Sequence, residues 1–354
     1  MSDFDPSAAA APDSGLFGLS DSEESARVVI IPVPFDATTS YRRGTADGPA
    51  AIVRASHQVD LFDLQTGRPY AAGIHLLAED GSISAWNAAA RAAADPIIAC
   101  GGNLDAAEPG GPTRAELEQK LAQVNAIQAE LEAAVAKIVE RLLDRGKLVG
   151  ILGGDHSVPL GAIKAIGRRH PGLGILHLDA HADLRRAYEG FTQSHASIMY
   201  NVVSQVPQVE RLVQVGLRDL CAEEIAVIEG SGGRIRYFSD PALAAERDTG
   251  VPWAALCDRI VGNLPHKVYI SFDIDGLDPA LCPHTGTPVP GGLRWNEALA
   301  LLAAVVRSGR HIVGFDLTEV APSPDPDDEW DANVGARALY KLVGFALLSQ
   351  PAPA

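Results

Sequence analysis

The sequence predicts a three-layer α/β protein built on a parallel sheet, and three observations carry that prediction. From Arg27 onward one theme repeats, in which a short apolar, β-branched run ends in polar or Gly residues and gives way to an amphipathic stretch. Most of these runs are continuously apolar, as expected of parallel strands covered by helices on both faces. The chain of 354 residues is also 47% hydrophobic, which supplies ample core for an α/β domain of this length.

The first 26 residues are rich in Ala, Ser, Asp, Gly and Pro without periodicity. They are expected to form a flexible arm or subunit-contacting tail ahead of a single domain over residues 27–350. The apolar run Val28–Val33 opens the sheet. Residues from Asp80 to Pro112 are Ala-, Gly- and Pro-rich and are expected to be a less regular insertion. A long amphipathic pattern over Arg114–Asp144 predicts a helix. Strands are then expected at Lys147–Leu152, Gly174–Leu178, Leu212–Val215, Arg234–Phe238, Val268–Phe272 and Ile312–Leu317, where apolar residues cluster. Helical periodicity predicts the intervening cover at Val158–Arg169, Trp253–Asn263, Trp295–Ser308 and Ala332–Leu348.

Charge and composition exclude several function classes. Twenty-nine Lys and Arg against forty-five Asp and Glu give a net charge of −16, which repels a phosphate backbone, so no nucleic-acid partner is expected. No apolar run is long enough to span a bilayer, and the N-terminus lacks a basic segment followed by an apolar one, so neither a membrane nor a secretory role is expected. The four cysteines are widely spaced without a C-x-x-C pair, which fits a cytoplasmic protein.

In an open parallel sheet, ligands bind beyond the carboxyl ends of the strands, so the residues that follow each apolar run are the informative ones. Val149–Leu152 is followed by Gly153-Gly154-Asp155-His156-Ser157, and Ile175–Leu178 by Asp179-Ala180-His181-Ala182-Asp183. Val268–Phe272 is followed by Asp273-Ile274-Asp275-Gly276. Alternate residues of an extended segment project to one side, so Asp179, His181 and Asp183 can converge, as can Asp273 and Asp275. With His156 these make two imidazoles and four carboxylates without thiolate, a donor set suited to Mn²⁺, with Ni²⁺, Co²⁺ or Zn²⁺ as alternatives. Six ligands exceed the needs of one catalytic ion, whereas two ions sharing carboxylates and one activated hydroxide use them naturally.

Other polar residues have simpler explanations. A lone Asp-x-Asp is commonly a turn or helix cap, but three clusters at three strand ends argue for metal. His177 lies inside an apolar run and is expected to be a hydrogen-bonded core histidine behind the ligands. His57, His75, His170, His266, His284 and His311 lack ligand-type neighbours in sequence and are expected to be structural or surface residues. The acidic stretch Asp325–Asp331 is expected to be a solvated loop. Thr285–Gly292 lacks a phosphate-loop Lys and reads as a rigid loop at the site.

Together GGDHS, DAHADL, SFDIDGLDP and TGTPVPGG resemble, in order and spacing, the ureohydrolase family of arginases, agmatinases and guanidino-acid hydrolases, from about Val28 to Leu348. The resemblance implies an α/β/α fold with a central eight-stranded parallel sheet, assembly as a homo-oligomer (trimer or hexamer) with a paralogous partner subunit as a further option, and two divalent ions, Mn²⁺ first and Ni²⁺ as the main alternative. By this resemblance His156 and Asp183 complete one ion's site, His181 and Asp275 the other's, and Asp179 and Asp273 bridge them. His195 falls where the family has a loop histidine for proton transfer, and Glu319 where its carboxylate holds the guanidinium.

The implied reaction is attack of the metal-bridging hydroxide on the guanidino carbon, giving urea and an amine or ammonia. The proton for the leaving group comes from the aspartate Asp183 or through His195. Arg185 and Cys221 stand where arginases carry Asn and Asp for the amino-acid end of arginine, so arginine is disfavoured and the agmatinase-like branch favoured. The HAS and CPHTGTPVPGGL segments resemble guanidine hydrolases and metformin hydrolase subunits, which favours guanidine or an alkylguanidine. Arg185 could instead anchor the carboxylate of a guanidino acid. Agmatine hydrolysis and a non-catalytic metal-binding subunit are the remaining alternatives, although the latter would be expected to lose a ligand or Glu319.

Overall fold

A computed structural model describes residues 5–11, 14–105 and 111–351. Its strands are β1 (Val28–Val33), β2 (Ile74–Leu76), β3 (Leu148–Gly153), β4 (Leu173–Leu178), β5 (Val209–Leu217), β6 (Ile235–Ser239), β7 (Lys267–Asp273) and β8 (His311–Thr318). They form one parallel sheet in the order β2-β1-β3-β8-β7-β4-β5-β6. The expected α/β/α architecture with eight parallel strands is therefore what the chain adopts.

Alternation along the strands divides the core in two. Val28 and Ile30 face a layer formed by α1 (Gly48–Ser56), α8 (Trp253–Val261), α9 (Trp295–Arg307) and α10 (Trp330–Leu348), through Ile52, Ile260, Leu302 and Val343. Val29 and Ile31 face the opposite layer, in which α3 (Arg114–Asp144), α4 (Leu160–Arg169) and α5 (Ile198–Gln205) contribute Val139, Ile163 and Val202. Helices cover both faces of the central strands, which is why β1, β3 and β4 are buried along their whole length, whereas the edge strand β6 carries the exposed Arg236 and Tyr237.

Several local expectations are corrected. Residues Gly81–Ala99, placed in the irregular insertion, form helix α2, capped by Asp80, whose Oδ1 accepts from Ser82 N at 2.9 Å. The Ala content that looked like low complexity is strong helix propensity, and Ala94 and Ile97 bury against Leu117, Val124 and Phe191. Residues 106–110 of that insertion lie outside the described part. The N-terminal segment is not free along its length, since Leu16–Gly18 forms a single turn with Leu16 and Phe17 buried and Phe17 edge-on to Tyr340 at 4.7 Å. Asp331, assigned to the solvated acidic stretch, is fully buried in the first turn of α10 and pairs with His284 Nδ1 at 2.8 Å.

Sheet order explains the site's position. His156, Asp179 and Glu319 follow β3, β4 and β8, and Asp273 ends β7; these are four adjacent strands at the centre of the sheet. Their carboxyl ends thus bring residues far apart in sequence to one edge.

Candidate metal centre and active site

His156 follows β3 through Gly153-Gly154, where the backbone passes so close to Phe35 that a Cβ on Gly154 would lie 2.1 Å from the Phe35 carbonyl oxygen. This packing delivers the imidazole over the sheet edge. His156 Nδ1 lies 3.1 Å from Asp179 Oδ2, 3.3 Å from Asp183 Oδ2 and 3.2 Å from Asp273 Oδ2. Its other nitrogen, Nε2, is 2.9 Å from Ser271 Oγ, which in turn donates to Asp316 at 2.9 Å. That relay fixes the ring with Nδ1 toward the carboxylates.

The second group forms around His181, whose Nδ1 is 3.1 Å from Asp275 Oδ2 and 3.4 Å from Asp179 Oδ1. Asp179 therefore turns Oδ2 to the His156 group and Oδ1 to the His181 group, the disposition required of a bridging carboxylate. Donor atoms of His156, His177, Asp179 and Asp183, and of Asp179, His181 and Asp275, are each close enough to share a cation. His177 is fully buried within β4, with Nδ1 3.0 Å from Gln214 Nε2 and Nε2 2.8 Å from Asp179 Oδ2 outside hydrogen-bonding angles. It lies directly behind Asp179, close enough to the His156 group to be counted among its possible donors.

The electrostatics of the cluster suit a cation. Burial, then the neighbouring Asp179, pushes the Asp183 carboxyl up to about 6. Burial, followed by Asp275 and Asp179, drives Asp273 well above the usual carboxylate range. Burial also acts against Asp179, but His177, His156 and His181 overcome it and hold that carboxyl well below its ordinary value. Burial disfavours the charged forms of His156 and His181, yet contacts with Asp179, Asp183 and Asp273 for the first, and with Asp275 and Asp179 for the second, raise both well above theirs. Divalent ions would replace these protons and relieve the carboxylate repulsion, so the donor set fits them.

Glu319 follows β8 in a left-handed conformation, φ +62°, and Asp183 likewise has φ +53°. Such backbone costs of order 1–3 kcal/mol for an ordinary residue and is retained where the surroundings dictate it. Glu319 Oε1 accepts from the His156 backbone N–H at 2.9 Å, while Oε2 is buried without a hydrogen-bond partner among the described residues. A Cβ on Gly286 would come within 3.0 Å of that oxygen, so glycine leaves it room for a guest. His195 joins the two flanks: Nδ1 is 3.5 Å from Glu319 Oε1 and Nε2 is 3.4 Å from Ser40 Oγ. Burial opposes its charge, but Glu319, Asp155 and Asp183 raise its pKa overall.

Two residues that the sequence did not single out support this arrangement. Asp155 Oδ2 accepts from Thr38 Oγ1 at 2.9 Å, and Thr38 Oγ1 accepts from the His195 backbone N–H at 3.3 Å. Arg218 donates Nη2 to the carbonyls of Asp275 at 2.7 Å and Val289 at 3.0 Å, tying the ligand loop to the Thr285–Gly292 loop.

A cavity of about 240 Å³ opens onto His181, Asp183, Asp273 and His195. Tyr41, Tyr188, Leu220, Pro288 and Val289 form its apolar walls, and the exposed Asp219, the half-buried Arg185 and the buried Glu224 also line it. The Arg185 guanidinium lies 5.0 Å over the Tyr188 ring and its Nε is 3.9 Å from Glu224 Oε2. Cys221 is the N-cap of helix α6 (Ala222–Gly230) and does not line the cavity.

Comparison with known proteins decides what this site belongs to, because residues 26–344 match the arginase family. The chain is a member of the arginase family. It is 34% identical over 333 residues to an N(1)-aminopropylagmatine ureohydrolase of Thermus thermophilus, covering 93% of this chain and 94% of the relative. It is 31% identical over 322 residues to an agmatinase of Bacillus anthracis, covering 91% and 93%. The fold is similar to proclavaminate amidino hydrolase from Streptomyces clavuligerus, with a TM-score of 0.71, 23% identity and coverage of 97% and 100%. It is also similar to an agmatine ureohydrolase of Thermoplasma volcanium, with a TM-score of 0.67, 22% identity and coverage of 93% and 92%. As an arginase-family ureohydrolase of the agmatinase-like branch, the protein is a hydrolase of guanidino C–N bonds, in a family that works with paired divalent ions.

Proposed function

We propose that this arginase-family chain hydrolyses a guanidinoalkylamine of the agmatine class to urea and the corresponding amine. The observation that carries the substrate class is Asp219, an exposed carboxylate on the cavity wall whose side chain has no hydrogen-bond or ion partner among the described residues. The cavity's apolar residues, with Asp219 as a carboxylate among them, suit a polymethylene chain with a cation at each end. Arg185, the other cation at the cavity, is engaged with Tyr188 and faces Glu224, so its charge is partly offset against a distal ammonium. The curated relatives named above as agmatinase and aminopropylagmatine ureohydrolase support the same class. We therefore favour it over guanidine or a simple alkylguanidine.

In this reading His156 and Asp183 would hold one ion and His181 and Asp275 the other, with Asp179 and Asp273 available to both. The all-nitrogen-and-oxygen set favours Mn²⁺, with Ni²⁺ as the alternative. When bound, the pair supplies Lewis acidity and a water of lowered pKa close to the guanidino carbon. Glu319 offers its free Oε2 to the guanidinium N–H groups, a charge-assisted contact that orients the planar group. His195, whose pKa is raised, against the effect of burial, chiefly by Glu319, lies at the cavity wall, where it can pass a proton to the departing amine nitrogen. Addition of water to the guanidinium carbon, loss of the carbon–nitrogen bond and proton transfer to that nitrogen then balance as urea plus an alkylammonium. The test is kcat/KM for agmatine, aminopropylagmatine, guanidine, guanidinobutyrate and arginine, in the parent and in Asp219→Asn. A loss confined to the guanidinoalkylamines supports the assignment, whereas guanidine or a guanidino acid as the best parent substrate overturns it.

A further inference from the structure

At the opposite, amino edge of the sheet lies a second cavity of about 250 Å³, lined by Arg27, Lys147, Arg169, His170 and Lys267 together with uncharged residues. No Asp or Glu among the described residues lines it, although the chain as a whole carries a net charge of −16. The cations are poorly compensated. Arg27 has no side-chain partner among the described residues. Lys147 Nζ donates to the neutral carbonyls of Glu24 at 2.6 Å and Ala26 at 2.7 Å, and Lys267 Nζ lies 3.0 Å from His311 Nδ1. Arg169 meets Asp144 only at 3.5 Å, where that carboxylate is 76% exposed. The local field is positive enough to register on the histidines: burial, then Lys267 and Arg169, lowers the pKa of His170, and burial, then Lys267 and His266, lowers that of His311.

Topology separates this cavity from the metal centre. Arg27 precedes β1, Lys147 precedes β3 and Lys267 begins β7, whereas the candidate ligands follow the other ends of their strands. A cationic guanidino compound would be repelled here. We infer that the amino edge of the sheet holds an anion site for a small phosphate-class ligand, a tetrahedral dianion held by Arg27, Lys147, Arg169 and Lys267. Four full positive charges exceed what a single carboxylate can neutralise, and two guanidinium forks match paired tetrahedral oxygens. The inference is independent of the substrate proposed for the metal centre.

Isothermal titration of the metal-loaded full chain with inorganic phosphate and with sulfate, at ionic strength fixed with chloride, tests it. Sulfate is a tetrahedral dianion that coordinates divalent ions weakly, so it distinguishes this cavity from the metal centre. The expected result is saturable binding of both anions, with Kd raised at least tenfold in Arg27→Gln and in Lys267→Gln, and with urea release unchanged in Arg27→Gln. Arg27 is exposed without a side-chain partner, so its variant should melt as the parent does in chloride, and Lys267→Gln provides a second, independent probe. No saturable binding, a response shared equally by chloride, or affinities unchanged in both variants would overturn the inference.

Discussion

The backbone N–H of His156 donates to Glu319 Oε1 at 2.9 Å, which ties the residue proposed to hold the guanidinium to a candidate metal ligand. One carboxylate oxygen thus sets the geometry while the other remains for substrate. Glu319→Gln can keep the first contact through its amide oxygen but loses the negative charge. The variant should retain both metals and lose at least about a hundredfold in kcat/KM, a loss comparable to removing one stabilising donor from a catalytic site. Glu319→Ala should also lower metal affinity, and metal content and kinetics measured together on the two variants distinguish these roles.

His195 lies between Glu319 and Ser40, so a proton held there has a path on either side. His195→Asn should lower kcat more than it raises KM, and added imidazole should restore part of the rate. Ser40→Ala removes only one long contact and should cost about two- to tenfold. An unchanged pH–rate profile in His195→Asn would remove it from proton transfer.

Ser271 orients the His156 ring from behind, and Asp316 holds Ser271. Ser271→Ala should therefore weaken metal binding by about 10- to 100-fold, although the hydroxyl touches no ion. Asp275→Asn removes a candidate ligand directly and should leave about one ion per chain by elemental analysis, with most activity gone. Full activity with a single ion in the parent would contradict the binuclear assignment.

Metal uptake should depend steeply on pH. Without metal, His156 and His181 hold protons well above their ordinary value and Asp183 titrates at about 6. Each must lose its proton to bind an ion, so affinity rises with pH through the raised histidine values and falls further as pH drops below about 6. Titration in buffers of different ionisation enthalpy should reveal net proton release on loading at neutral pH. Zero release would mean that these groups are already deprotonated in the metal-free protein.

Much of this was legible in the sequence because a buried parallel strand writes a continuous apolar run and the ligand motifs follow such runs directly. His156, Asp179, His181, Asp183, Asp273 and Asp275 converge as their spacing suggested. Helix α2 was not legible, since an Ala-rich stretch carries little amphipathic signal until α3 packs against it. Strand β2 is only Ile74–Leu76, too short to show a pattern. Asp155, Ser271, Asp316 and Arg218 act through partners remote in the chain, such as Thr38 for Asp155 and the Val289 carbonyl for Arg218. No local spacing announces a contact of that kind. The freedom of Asp219 and the engagement of Arg185 likewise depend on the fold around the cavity.

The most direct test of the central claim is urea release by the protein loaded with two divalent ions per chain, assayed with agmatine and the other guanidino compounds. The account predicts one urea and one amine per guanidinoalkylamine consumed, with the activity removed by chelation and restored by Mn²⁺ or Ni²⁺. Absence of urea from every guanidino compound, with both ions bound, would contradict it.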